Sequence, residues 1–273
     1  MRTEAHGVTP VLISLSAFGA SEVRRHGQLW FSELSLAAGA DGVEVRSELL
    51  TDPERELPAI ASALRAASKR AVYSSAEGLW RADGELDLPA LERALAATQA
   101  LGSTRLKMSI GGFQRTSHVS LSTLQQRLSA SAIELLIEND QTPQAGTLGA
   151  LQQFFDATDA QGISLGMTFD IGNWHWTGEC PVQAAATLAK RVRYVHCKGV
   201  QRLAKGWVAV ALADSSAPWR AVLRALPNDV PWAIEYPLQG DDLLAVTRCE
   251  IAQLRQVAAS MAQDSRGSLM RLS

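Results

Sequence analysis

Thr168-Phe-Asp-Ile-Gly-Asn-Trp-His-Trp-Thr-Gly-Glu179 is the stretch on which the reading of the fold turns. The run Leu165 to Phe169 leads into it and delivers a carboxylate, Asp170, at its end. Gly172 turns the chain away, and polar and aromatic side chains follow before the next helical pattern. A strand that ends on an acid and breaks at Gly is how α/β barrels set functional groups at their open face. Taken alone the pattern is weak, because strands often end in Asp for turn chemistry. Its weight comes from three other apolar runs that also end in Glu or His.

On either side, short apolar runs alternate with longer helical patterns, the signature of βα units and a parallel sheet. The expected strands are 10–18, 42–46, 71–75, 105–110, 133–139, 165–170, 192–198 and 230–236. Helices are expected at 29–38, 54–67, 88–101, 120–129, 143–160, 181–190, 217–226 and 243–261. Thr51-Asp-Pro53 and Asp87-Leu-Pro89 are start signals, and Gly39, Gly102 and Gly162 are stops. Trp207 to Leu212 reads as one arm of a hairpin. Eight strand-like runs separated by helices predict an α/β fold, a (β/α)8 TIM barrel in a single domain over 1–263, with a polar tail at 264–273. A doubly wound open sheet is the alternative. It is disfavoured because no Gly-x-Gly-x-x-Gly turn follows the first strand and no Gly-x-x-x-x-Gly-Lys loop occurs.

Four groups close the last four runs: Glu138 in Ile137-Glu-Asn, Asp170, His196 in Val195-His-Cys-Lys, and Glu235 in Ile234-Glu-Tyr. In a barrel these ends sit side by side around one mouth. Three carboxylates converging without a counter-ion would repel and raise one another's pKa. A divalent cation relieves that, and three carboxylates with one imidazole suit Mn, Mg, Co or Zn. The bland alternative makes each acid a loop cap and His196 a hydrogen-bonded core residue.

In these motifs, and in Gly42-Val-Glu-Val-Arg46, the chain resembles the xylose isomerase-like barrels, especially their sugar and sugar-phosphate isomerase/epimerase branch. The separations of 32, 26 and 39 residues between the four groups are similar to those of the epimerases. The resemblance implies that Glu138, Asp170, His196 and Glu235 hold one divalent ion. It also implies that Glu138 and Glu235 move a proton on opposite faces of an enediolate. The implied substrate is a small polyhydroxy carbonyl compound: a sugar, sugar acid or cyclitol. The close alternative is a dehydratase acting on a keto sugar or cyclitol, as in dehydroshikimate dehydratase-like members. A sugar-binding barrel without chemistry is a third reading.

Further candidates surround the substrate. Glu44, with Arg46, ends the second strand and contacts either substrate or the metal ligands, or else pairs with Lys107 inside the barrel. Lys107 stands among apolar neighbours on the fourth strand, where an inward ammonium holds an anionic group. Asn173 occupies the place where many relatives carry His, and His175 follows two residues later between Trp174 and Trp176. Those tryptophans either stack on a sugar face or pack. Arg202 matches a position where epimerases set an Arg near substrate oxygens. His118 lies on the loop after the fourth strand and reads first as a surface residue.

Composition removes other classes. The chain of 273 residues carries a net charge of −2 with no basic stripe, which argues against nucleic acid and anionic membrane as partners. With five histidines it lacks the complement that the trinuclear zinc endonuclease branch of these barrels needs. Three scattered cysteines do not make a disulfide framework, so a cytoplasmic setting is expected. Arg2 followed by Val11 to Ala20 faintly imitates a signal peptide, but reads equally as a buried strand. No run reaches the roughly 18 apolar residues of a membrane span. Whether the chain forms a homo-oligomer is left open.

Overall fold

The computed structural model describes residues 9–269, so Arg2 and the polar end 270–273 lie outside the described residues. Eight parallel strands close into a barrel in the order β1-β10-β7-β6-β5-β4-β3-β2, the order of a TIM barrel in which each strand pairs with its neighbours in sequence. The strands are β1 (Val11–Ser14), β2 (Gly42–Arg46), β3 (Arg70–Trp80), β4 (Arg105–Gly111), β5 (Glu134–Glu138), β6 (Gly166–Asp170), β7 (Val192–Cys197) and β10 (Trp232–Ile234). Between the last two, β8 (Gly199–Leu203) and β9 (Gly206–Val210) form an antiparallel hairpin outside the barrel.

The outer helices begin where the sequence supplies caps. Asp52 accepts from Arg55 N at the start of α3 (Pro53–Ala66), and Asp87 accepts from Ala90 N at the start of α4 (Leu88–Ala100). Each satisfies an N–H group that the first helical turn leaves without a partner. The others are α1 (Ala20–His26), α2 (Gln28–Ala37), α5 (Leu121–Ser129), α6 (Leu148–Ala160), α7 (Pro181–Leu188), α8 (Trp219–Ala225) and α9 (Leu243–Leu269). None of the described helices is long and apolar enough to cross a membrane.

The largest departures from the expected boundaries are four, and the eighth strand is also shorter than 230–236, at Trp232–Ile234. The first strand stops at Ser14, because a 3-10 turn over Leu15–Phe18 and then α1 take up the rest of the apolar run. The third strand continues past Ser75 through a register irregularity to Trp80. That extension is possible because Gly78 and Gly111 let two backbones meet: a Cβ on Gly111 (φ +62°) would lie 2.3 Å from the Trp80 carbonyl oxygen. The helix after β5 starts at Leu148 rather than Pro143, capped by Thr147. The last helix runs to Leu269, because extending an existing helix costs far less than starting one.

Alternation along the strands places every second residue inside the barrel. Leu12, Val72, Leu136, Tyr194 and Ala233 make a separate buried apolar cluster. Leu136, Tyr194 and Ala233 stand two residues before Glu138, His196 and Glu235, so the apolar plug underlies the polar mouth.

Candidate metal centre

The last turn of each strand carries the site. Glu138 and Asp170 are the final residues of β5 and β6, His196 is one residue from the end of β7, and Glu235 follows β10 directly. Asp170 and His196 are register partners across β6 and β7. Asn139 fixes β5 against β6 by donating its Nδ2 to the Asp170 carbonyl at 3.0 Å and accepting from Asp170 N at 2.9 Å. Ligand atoms of Glu138, Asp170, His196 and Glu235 lie within 4.8 Å of one another, a group able to hold a metal ion. The structure thus brings together the four residues singled out from the sequence.

His196 is the pivot. Its Nε2 is 2.7 Å from Glu44 Oε2, and its Nδ1 is 2.9 Å from Glu138 Oε1 and 3.0 Å from Glu235 Oε2. A neutral ring that donates Nε2–H to Glu44 turns a bare Nδ1 lone pair toward two carboxylate oxygens. Such an arrangement needs a positive charge between them, supplied either by a proton on Nδ1 or by a cation. Glu44 therefore stands behind the imidazole, completing a carboxylate–histidine pair that orients the ring. It is wholly buried and also accepts from Ser14 Oγ and Arg46 Nη1, each at 3.2 Å.

The carboxylates divide their oxygens. Asp170 Oδ1 accepts from the Gly172 and Asn173 amides at 2.7 and 2.9 Å, whereas buried Oδ2 has no aligned hydrogen-bond donor. Lys198 Nζ is 2.8 Å from that oxygen, an ion pair by distance alone. Glu235 Oε1 accepts from Arg46 Nη1 at 2.7 Å, leaving Oε2 toward His196 and Lys198. Glu138 Oε2 is taken by Lys107, leaving Oε1 toward His196. Each acid keeps one oxygen tied to the chain and turns the other to a shared point. With one imidazole nitrogen, that donor set fits a divalent ion of the Mn, Mg, Co or Zn kind.

Titration follows from burial and neighbours. Burial, then the Glu235 charge, lifts Asp170 to about 6 against the pull of Lys198. Burial also pushes Glu138 upward, but Lys107 and His196 outweigh it and bring Glu138 to about 2. Glu235 is held well below the carboxylate range by His196, Lys198 and Arg46 in spite of its burial. Glu44 is likewise lowered against burial, by His196 and Lys107. His196 is raised well above its ordinary value, burial being overcome by Glu235 and Glu44.

The remaining candidates are spread more widely. Lys107 points inward, almost wholly buried, and holds Glu138. Asn173 accepts from Gln141 Nε2 and Lys198 Nζ, both at 3.0 Å, and donates to the Asn139 carbonyl. His175 is half-buried with its ring 4.8 Å from Trp207, and its Nε2 is buried without a hydrogen-bond partner. Arg202 is exposed on the hairpin, its guanidinium 5.5 Å from the Trp207 ring centre. Trp174 packs against Phe169 in the core, and exposed His118 stacks on Phe113. Sequence reasoning gave no role to Lys198, although it follows His196 by two residues and so shares its face of the strand. Arg46 was noted only as a strand end.

Comparison with known proteins agrees on the fold. No protein-family profile matches the chain, and no curated protein does. Many solved structures share its architecture. An L-ribulose 3-epimerase superposes with a TM-score of 0.70 at 15% identity, covering 94% of this chain and 97% of that one. A xylose isomerase-like TIM barrel protein from Mycobacterium smegmatis, in complex with magnesium, gives 0.64 at 15% identity, with 95% and 99% covered. A probable 3-DHS dehydratase from Bacillus anthracis gives 0.64 at 14% identity, with 90% and 98% covered. The neighbours are thus xylose isomerase-like TIM barrel proteins that include epimerases and a dehydratase.

Proposed function

We propose that this barrel is a divalent-metal-dependent isomerase or epimerase of a small sugar, sugar acid or cyclitol. The observation that carries the reading is the common aim of Glu138 Oε1, Asp170 Oδ2, His196 Nδ1 and Glu235 Oε2 at one point over an apolar plug. Those four residues would hold a divalent ion, which would supply Lewis-acid polarisation to a substrate carbonyl.

The chain's own residues do the rest. Glu138 and Glu235, on non-adjacent barrel strands, serve as the pair that removes and returns the carbon-bound proton. In each turnover the member that accepts the proton starts as carboxylate and the member that returns it starts as carboxylic acid, and the two exchange these roles in the reverse direction. Glu44 holds His196 in one orientation, and Lys107 and Arg46 hold the outer oxygens of Glu138 and Glu235. His175 and Trp207, their rings 4.8 Å apart and tilted by 46°, offer an aromatic surface with a polar edge on which a sugar can pack. Dehydration is the second reading: elimination needs an acid for the leaving hydroxyl, and half-buried His175, on the turn after β6 with its Nε2 lacking a hydrogen-bond partner among the described residues, is a group able to exchange a proton.

The test is solvent exchange. Mn-loaded protein is incubated with a panel of ketoses, sugar acids and keto-cyclitols in D2O and followed by NMR. Deuterium uptake next to a carbonyl without loss of water supports the epimerase, and loss of water to an unsaturated product supports the dehydratase. Glu138→Gln or Glu235→Gln should lower the rate about 10²- to 10⁴-fold. A folded protein that binds no divalent ion would remove both readings.

A further inference from the structure

Lys198 sits where a bound ion would have to compete with it, an inference that rests on the metal reading above. Its side chain is nine-tenths buried. The ammonium is 2.8 Å from Asp170 Oδ2, 2.8 Å from Glu235 Oε2 and 3.0 Å from Asn173 Oδ1. The first two are the inward oxygens of their carboxylates. The other oxygen of Asp170 is held by two backbone amides, and that of Glu235 by Arg46.

The three permanent cations around the centre are therefore not equivalent. Lys107 takes the outer oxygen of Glu138 and Arg46 the outer oxygen of Glu235, both compatible with an ion on the inner side. Lys198 alone contacts inner oxygens. Two cations held on the same pair of oxygens would stand a few ångströms apart in a buried site, where repulsion is poorly screened. Lys198 also has somewhere to go. Asn173 Oδ1 is a neutral acceptor outside the carboxylate group, itself fixed by Gln141.

We propose that Lys198 is a tethered competitor for the metal: its ammonium and a divalent ion contend for Asp170 Oδ2 and Glu235 Oε2, and ion binding shifts the ammonium toward Asn173. The chain thereby carries an internal counter-ion that keeps the carboxylates together and sets a ceiling on metal affinity. Lys198 is a positioning residue in this scheme, acting through the ligands.

The experiment is calorimetric titration of Mn(II) into stripped, full-length wild type, Lys198→Met and Lys198→Arg, with thermal melts of each protein stripped and loaded. Lys198→Met should bind Mn(II) more tightly, on the order of the 10- to 100-fold by which neighbours of ligands tune metal sites. Lys198→Arg, which keeps the charge, should stay near wild type. Stripped Lys198→Met should melt below stripped wild type, and Mn(II) should close the gap. Equal or weaker binding by folded Lys198→Met overturns the proposal while leaving the metal reading intact. If Lys198→Met does not fold, a structure of Mn-loaded wild type decides. Nζ beyond hydrogen-bond reach of both oxygens supports competition, and Nζ still bridging them overturns it. Absence of Mn(II) binding by all three folded proteins overturns the metal reading and this proposal together.

Discussion

Glu44→Gln isolates the one carboxylate that touches His196 from behind. The substitution preserves shape but removes a buried charge that faces His196 at 2.7 Å and Arg46 and Ser14 at 3.2 Å. An amide has one acceptor oxygen. With its oxygen on the imidazole, its NH2 faces Arg46, donor against donor; with its NH2 on the imidazole, Nε2 must give up its proton and the ring no longer offers a bare Nδ1. Breaking a buried ion pair costs about 3–5 kcal/mol. The lower end applies, because Arg46 keeps Glu235 and Glu48, and Lys107 keeps Glu138. About 3 kcal/mol corresponds to a fall in Tm of roughly 6–12 °C for a domain of this size class. Loss of the partner that orients a ligating imidazole weakens metal binding about 10- to 100-fold. Thermal melts and Mn(II) titration calorimetry read the two effects separately, with circular dichroism to confirm the fold. Folded Glu44→Gln that binds Mn(II) as tightly as wild type would refute the orienting role, whatever happens to Tm.

Two further predictions concern the scaffold. Asp41 accepts from Val11 N at 2.9 Å and from Arg255 at 2.7 Å, and pairs with Lys69, tying β1, the residue before β3 and α9 together. Burial raises its pKa, but those three partners outweigh it and hold Asp41 below the usual value. A lowered folded-state pKa stabilises above the unfolded carboxyl pKa and is lost as pH falls through the folded one. Asp41→Asn should therefore cost about 1 kcal/mol near neutrality, after allowance for solvent screening, with the gap from wild type closing below about pH 4 in denaturant titrations. A gap constant from neutrality into acid would contradict this. Gly172→Ala would put a Cβ 2.9 Å from the Lys198 carbonyl oxygen and 3.0 Å from Val200. Overpacking of that kind should cost about 1–3 kcal/mol, read as a lowered Tm; an unchanged Tm would refute the close packing of Gly172 on the segment from Lys198 to Val200.

The barrel was legible because its signals repeat. Each βα unit carries its own apolar run, its own cap such as Asp52 or Asp87, and its own break, so an error in one unit leaves the others standing. The boundaries missed are those where long-range contact overrides local preference. Nothing near Glu77 and Gly78 announces a strand until Gly111 is known to lie beside it. Hairpin β8–β9 was half seen, because Trp207 to Val210 has strand chemistry while Gln201 and Arg202 do not. The four groups of the candidate metal centre were visible as strand ends. Of their partners, Glu44 and Lys107 were visible as candidates, whereas the roles of Arg46 on Glu235 and of Ser14 on Glu44 emerge only when the last strand closes against the first.

That closure also changes the reason for placing a metal here. Three acids without a counter-ion would demand a cation by repulsion alone, but the folded mouth supplies Arg46, Lys107 and Lys198 as counter-ions of its own. Charge count therefore does not compel a metal. Direction does the selecting instead. Arg46 and Lys107 occupy outer oxygens and leave inner ones free, whereas an imidazole whose far nitrogen is held by Glu44 turns its near nitrogen onto two carboxylates. An oriented imidazole can serve either neutralisation or coordination, as an imidazolium donating from both nitrogens or as a neutral ligand with a bare Nδ1. A coordination site needs the second form, because ligand lone pairs must meet at a single point. Lys198 is the residue where the two requirements collide, and its substitution is the change that tells them apart.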